Sequence, residues 1–184
     1  MRKYCVSTLN GLFLAAFLTL PAHSQGMPPF GSEHDVGYAG QIWKAMEGQR
    51  LAGPHAMHSA LYEGTDPHGM MLETFYTSAT IDGHTGDLIV KRNYGPAGVA
   101  KEEVAMHPEK HLGAVTVMFR REAGFDAENQ NWFWVKFLPD GSVDKNPKGM
   151  PLAGKVAKGM EVGCIACHAN ADGDDYVFTT DAVK

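Results

Sequence analysis

Between His34 and Leu51 the stretch HDVGYAGQIWKAMEGQRL places Val36, Tyr38, Ile42, Trp43, Met46 and Leu51 at an approximately helical spacing, and Gly53-Pro54 supplies the stop. The pattern predicts one amphipathic helix. From Met70 onward the periodicity changes. MMLETFYTSATI, residues 70–81, is rich in β-branched and aromatic side chains, and DLIVKRNY, residues 87–94, follows across Asp82-Gly83-His84-Thr85-Gly86. Together these predict a β-hairpin. GAVTVMFR (113–120) and NWFWVKF (131–137) predict two further strands on either side of a loop with Gly and Asn, and Pro139-Asp140-Gly141 reads as another turn.

Four strands in succession, each able to return antiparallel to the last, with helices at either end, imply an α+β domain built on an antiparallel sheet. Gly and Pro recur along the chain, 21 and 10 times in 184 residues, which favours short elements joined by turns over a long helical bundle. No internal repeat or low-complexity stretch interrupts this plan. In WFW, Trp132 and Trp134 share one face and Phe133 takes the other, so the run is read first as packing.

The amino terminus carries a separate signal. MRKYCVSTLNGLFLAAFLTLPAHSQG sets Arg2 and Lys3 before the apolar run GLFLAAFLTLPA, which ends in Ala22-His23-Ser24. This arrangement is expected of a secretory signal peptide over residues 1–24, cut after Ser24, and places the protein in the periplasm. The rival reading, a membrane anchor, requires a longer apolar run. The remaining residues, 25–184, suffice for one domain that buries one core and a cofactor. Without Arg2 and Lys3, 14 basic residues face 21 acidic ones, a net charge near −7. Such a balance offers nothing to nucleic acid or to an anionic membrane.

The cysteines point to chemistry. Of three in the chain, Cys5 falls in the leader, and Cys164 and Cys167 fall within CIACH, residues 164–168. On a helical turn the two thiols face one side with His168 beside them. Such spacing suits covalent haem c: each thiol adds to one vinyl group of the porphyrin, and His168 reaches the iron. A disulfide or a thioredoxin-like redox pair are the alternatives in an oxidising compartment, and neither uses His168. Zinc would require two more ligands at matching spacing. The porphyrin is expected to pack against one sheet face, reached through the loop that carries Pro147, Gly149, Pro151 and Gly154.

The stretches LIVKRNYG, LGAVTVMFRREAGFDAENQNWFWVKF and GCIACH, followed closely by DDYVFT, resemble the cytochrome P-460 family, which includes the cytochromes c-prime-beta; the resemblance covers roughly residues 35–180. It implies a periplasmic mono-haem protein, commonly a homodimer, with an antiparallel sheet and five-coordinate iron held by His168. Two branches share that fold. In the P-460 enzymes a strand lysine bonds to the porphyrin and hydroxylamine is oxidised, which by resemblance makes Lys91 the cross-linking candidate. Its alternative is an ordinary exposed strand lysine. In the c-prime-beta branch the pocket is apolar and binds nitric oxide or carbon monoxide. Laying LETFYTS on the family's arginine-bearing strand puts Phe75 at the arginine's place, with Glu73 on the same face by period two. At the expected glutamate stand only Thr116, Val117 and Met118. A slip of one residue exchanges these faces.

Three readings follow: a hydroxylamine-oxidising enzyme with Lys91 cross-linked and an electron-accepting periplasmic cytochrome as partner; a gas-binding cytochrome capped by Phe75; and an electron carrier with a Met or His as sixth ligand. For the last, Met118, Met150 and Met160 are read as core filler, and His68, in DPHG, as a loop residue or one supporting the ligands. Within ANADGDDY, residues 169–176, three aspartates form a solvated loop that lacks the spacing and closing glutamate of a calcium loop. Tyr176-Val177-Phe178 is expected to return the chain to the haem.

Overall fold

The computed structural model of the chain describes residues 29–172 and 175–178. The expected leader with Cys5, the expected cleavage point after Ser24, and part of the acidic loop lie outside the described residues. The core element is a six-stranded sheet in which each strand pairs antiparallel with its sequence neighbour: β1 (Tyr62–Glu63), β2 (Met71–Ile81), β3 (His84–Tyr94), β4 (Leu112–Arg120), β5 (Trp132–Phe137) and β6 (Ala153–Gly154). The fold is α+β, as the pattern implied, with two short edge strands added to the expected four. Among the described residues no helix is long and apolar enough to cross a membrane.

The hairpin turn is tighter than the sequence suggested. Asp82 and Gly83 alone make it, at φ 49° and 79°, the two left-handed residues that a type I′ turn demands and that match strand twist. His84 and Thr85 therefore belong to β3, paired with Ile81 and Thr80. Between β3 and β4 lie two short helices, α2 (Lys101–Met106) and α3 (Pro108–His111).

Helix α1 (Glu33–Gly48) starts at a capping box. Ser32 Oγ accepts from the Asp35 amide at 3.1 Å, and the Asp35 carboxylate accepts from the Ser32 amide at 3.1 Å, so two otherwise orphaned donors are satisfied. The helix stops at Gly48, five residues before the anticipated Gly53-Pro54, because Arg50 turns to φ 60°. Leu51 is still buried, but from the loop rather than the helix.

Period-two alternation gives the sheet two distinct faces. One face sends Leu88, Val90, Val115, Val117, Phe119, Phe133, Val135 and Phe137 against Tyr38, Ile42 and Met46 of α1. Tyr38 meets Phe133 with ring centroids 5.1 Å apart, and Trp43 meets Phe137 at 5.0 Å. Each such fully buried side chain contributes about 1.5–3 kcal/mol. The opposite face carries Met118, Trp132 and Trp134 against Phe30, Val156, Ala157 and Ile165. This second layer is incomplete, and its opening is the cavity described next.

Candidate functional site

The second sheet face forms the wall of a cavity of about 830 Å³, within the range of sites that enclose a cofactor. A row of paired residues crosses the wall: Lys91 of β3 opposite Thr116 of β4, and Thr116 opposite Lys136 of β5. Helix α4 (Cys164–His168) forms another side. It is entered through Gly163, at φ 139° and ψ −171°, a conformation almost restricted to glycine. A Cβ there would stand 2.3 Å from that of Ala157. Glycine thus lets the turn lie flat on the 153–163 segment and aims both thiols and the imidazole at the cavity.

Cys164 and Cys167 are free thiols, and both line the cavity. Burial pushes the Cys164 thiol up to about 11, so this place favours a sulfur without charge, which a thioether is. His168 is buried, and burial lowers its pKa. Its Nδ1 lies 2.7 Å from the carbonyl oxygen of Tyr176. Since a carbonyl only accepts, Nδ1 carries the proton and Nε2 keeps its lone pair, the arrangement by which an outer hydrogen bond orients a metal-binding histidine. Trp134 at 4.8 Å and Phe178 at 5.3 Å wedge the ring edge-on. The chain does return here after the acidic loop: Trp132 Nε1 donates to Asp175 O at 2.9 Å, and Arg120 pairs with the Asp175 carboxylate while stacking on Trp132.

Lys91 lines this cavity together with Cys167 and His168. Burial lowers its pKa, with Cys167 acting in the opposite sense. The shift favours the neutral amine, the nucleophilic form of lysine. Asn93, one turn of the pleat away, donates through Nδ2 to Thr116 Oγ1 at 3.2 Å and to Ala114 O at 3.3 Å.

Glu73 and Phe75 are not in the cavity. The register sets Phe75 opposite Val90 and Glu73 opposite Arg92, residues of the α1 face, so both sit on the far side of the sheet. This corrects the expectation that Phe75 caps the iron: a register shift of one residue inverts the two faces. Phe75 packs on the main core beneath the Arg92 guanidinium at 5.1 Å. Glu73, 1% exposed, accepts from Tyr94 Oη at 2.5 Å, the Ser59 amide at 2.7 Å and Arg92 Nη1 at 3.2 Å.

Other residues take the places those two leave. Tyr76 and Ile89 line the cavity, as do Met118 and Met160. His68, read from the sequence as a loop residue or one supporting the ligands, also faces it: its Nδ1 is 3.3 Å from Thr116 Oγ1 and its ring centroid 6.0 Å from that of His168. Burial, then the charges of Lys91 and His168, lower the His68 pKa to about 4. No periodicity marks a lone histidine in a loop, so the sequence held no signal for it.

The cavity residues fit a haem. Two cysteines, one oriented imidazole and an apolar enclosure meet at one place. Two buried polar atoms on the same wall, Asn93 Oδ1 and Trp134 Nε1, have no protein partner, which is a mark of a site built around a polar-edged group. In comparisons with known proteins, a family model described as Cytochrome P460 matches residues 69–179. No curated protein and no solved structure matches the chain.

Proposed function

The chain belongs to the cytochrome P460 family, and from that membership we propose that it is a periplasmic haem c protein that oxidises hydroxylamine or a related small nitrogen species. The family implies haem c. When bound, that group supplies an iron that takes a small ligand and exchanges single electrons. In this reading Cys164 and Cys167 would hold the porphyrin by thioethers, and His168 Nε2 would bind the iron. Lys91 would tether the porphyrin, and an external acceptor such as a periplasmic cytochrome would take the electrons, with the protein acting as a homodimer.

One observation carries the choice of an enzyme: Lys91 lines the same cavity as both cysteines and His168, where burial lowers its pKa. An exposed strand lysine, the bland alternative, would point elsewhere. The test is tandem mass spectrometry of a proteolytic digest of the mature protein. Co-migration of the Lys91 peptide with the haem-bearing CIACH peptide supports the enzyme; haem held by Cys164 and Cys167 alone opposes it.

A second reading, a nitric oxide or carbon monoxide binder of the c-prime-beta type, draws on a different observation. With Glu73 turned to the other face, the one carboxylate lining the cavity among the described residues is that of the exposed Asp66. A pocket poor in carboxylates suits small uncharged diatomics.

A further inference from the structure

The segment that carries Tyr176, the carbonyl partner of His168, is held from outside itself. Among the described residues no backbone–backbone hydrogen bond ties 175–178 to the sheet, and Tyr176 stands at φ 62°, a costly conformation for a bulky side chain. A backbone so placed persists only where its surroundings over-determine it. Two groups on the sheet do so at Asp175. The Trp132 indole, itself buried, donates from Nε1 to Asp175 O at 2.9 Å, and Arg120 Nη2 donates to the Asp175 carboxylate.

Arg120, the last residue of β4, is fixed on three further sides. Its Nε donates to Asp87 Oδ2 at 3.2 Å, its Nη1 donates to Gln130 O at 2.7 Å, and its guanidinium carbon lies 4.1 Å from the centre of the Trp132 ring. One planar fork thus joins β3, the loop before β5 and the 175–178 segment, an arrangement that the point charge of a lysine does not reproduce. The consequence reaches the imidazole one residue further on, because His168 Nδ1 donates to Tyr176 O at 2.7 Å. Such an outer hydrogen bond fixes the rotation of a metal-binding histidine and strengthens the other nitrogen as a donor. We propose that Arg120 is a positioning residue for His168: it does not line the cavity, but through Asp175 it sets where the Tyr176 carbonyl stands and how firmly that carbonyl holds the Nδ1 proton. This rests on the haem reading above.

The experiment compares the parent holoprotein with Arg120→Ala and Asp175→Ala, by resonance Raman of the ferrous form in the iron–histidine region and by spectroelectrochemical titration. In both variants the iron–histidine band should move to lower frequency and the midpoint potential should rise, since a loosened Nδ1 bond makes His168 a poorer donor to ferric iron. The ferric-to-ferrous ratio at a fixed potential should fall by up to about tenfold, the worth of one hydrogen bond, which is about 59 mV for one electron. A band and a potential equal to those of the parent in both variants, even with a lowered melting temperature, reduce Arg120 to a scaffold residue and overturn the proposal. A shift confined to one of the two variants overturns the route through Asp175. Purified protein whose intact mass lacks the haem increment overturns the haem reading and this inference with it, whereas unshifted spectra with the increment present overturn this inference alone.

Discussion

Replacing Glu73 by alanine separates a structural anchor from a catalytic group. The carboxylate is 1% exposed and receives the Tyr94 hydroxyl, the Ser59 amide and Arg92 Nη1. In Glu73→Ala the Arg92 guanidinium keeps its bonds to Leu51 O, at 2.6 and 3.1 Å, and to Met57 O, at 2.7 Å, but loses its counter-charge. Removing one member of a buried ion pair costs about 3–5 kcal/mol, and three surviving carbonyl contacts place this case at the lower end. The orphaned Tyr94 hydroxyl adds about 1–2 kcal/mol. The sum, about 4 kcal/mol, shifts the folding equilibrium by roughly a thousandfold and Tm by on the order of 10 °C. Urea unfolding followed by far-ultraviolet circular dichroism measures the loss. Because Glu73 faces away from the cavity, the folded variant should keep the visible spectrum of the haem. A loss below about 1 kcal/mol, or an altered spectrum at unchanged stability, would refute the assignment of Glu73 to the scaffold.

Two further outcomes test the local supports of the site. Gly163→Ala should destabilise the protein by about 1–3 kcal/mol, from the backbone strain alone, with the contact to Ala157 adding to it; a melting temperature equal to that of the parent would contradict this. Trp132→Phe removes the indole bond to Asp175 O, worth about 1 kcal/mol, so amide exchange over residues 175–178 should accelerate roughly fivefold, and unchanged exchange there would show that the segment is held by something else.

The sheet was legible because β2 to β5 are long, β-branched and aromatic, and separated by Gly- and Pro-bearing turns. β1 and β6 were not, since each is two residues long and formed by pairing rather than by composition. The CIACH turn was readable outright, because the placement of Cys164, Cys167 and His168 follows from local helical geometry. The distal side was not. Phe75 and Val90 look alike in any hydrophobicity pattern whichever face they take, and β2 carries polar residues on both sides. Glu73 reads as a candidate base until Arg92 and Tyr94 are seen around it. Trp132 and Trp134 were placed by alternation alone, and the structure sets both on the cavity side with Phe133 in the main core.

The alternation within β3 also bears on how such a protein can change. Val90 and Arg92 hold the scaffold together, while Ile89, Lys91 and Asn93 between them furnish the cavity wall. Adjacent codons therefore answer to separate demands. Chemistry at the wall can drift by point substitution while the fold is untouched. Insertion or deletion of one residue is the opposite case: it would exchange the two sets, and lose the core and the site in a single event. Lineages built on this sheet should diversify by replacement at alternate positions and tolerate length changes only in the turns.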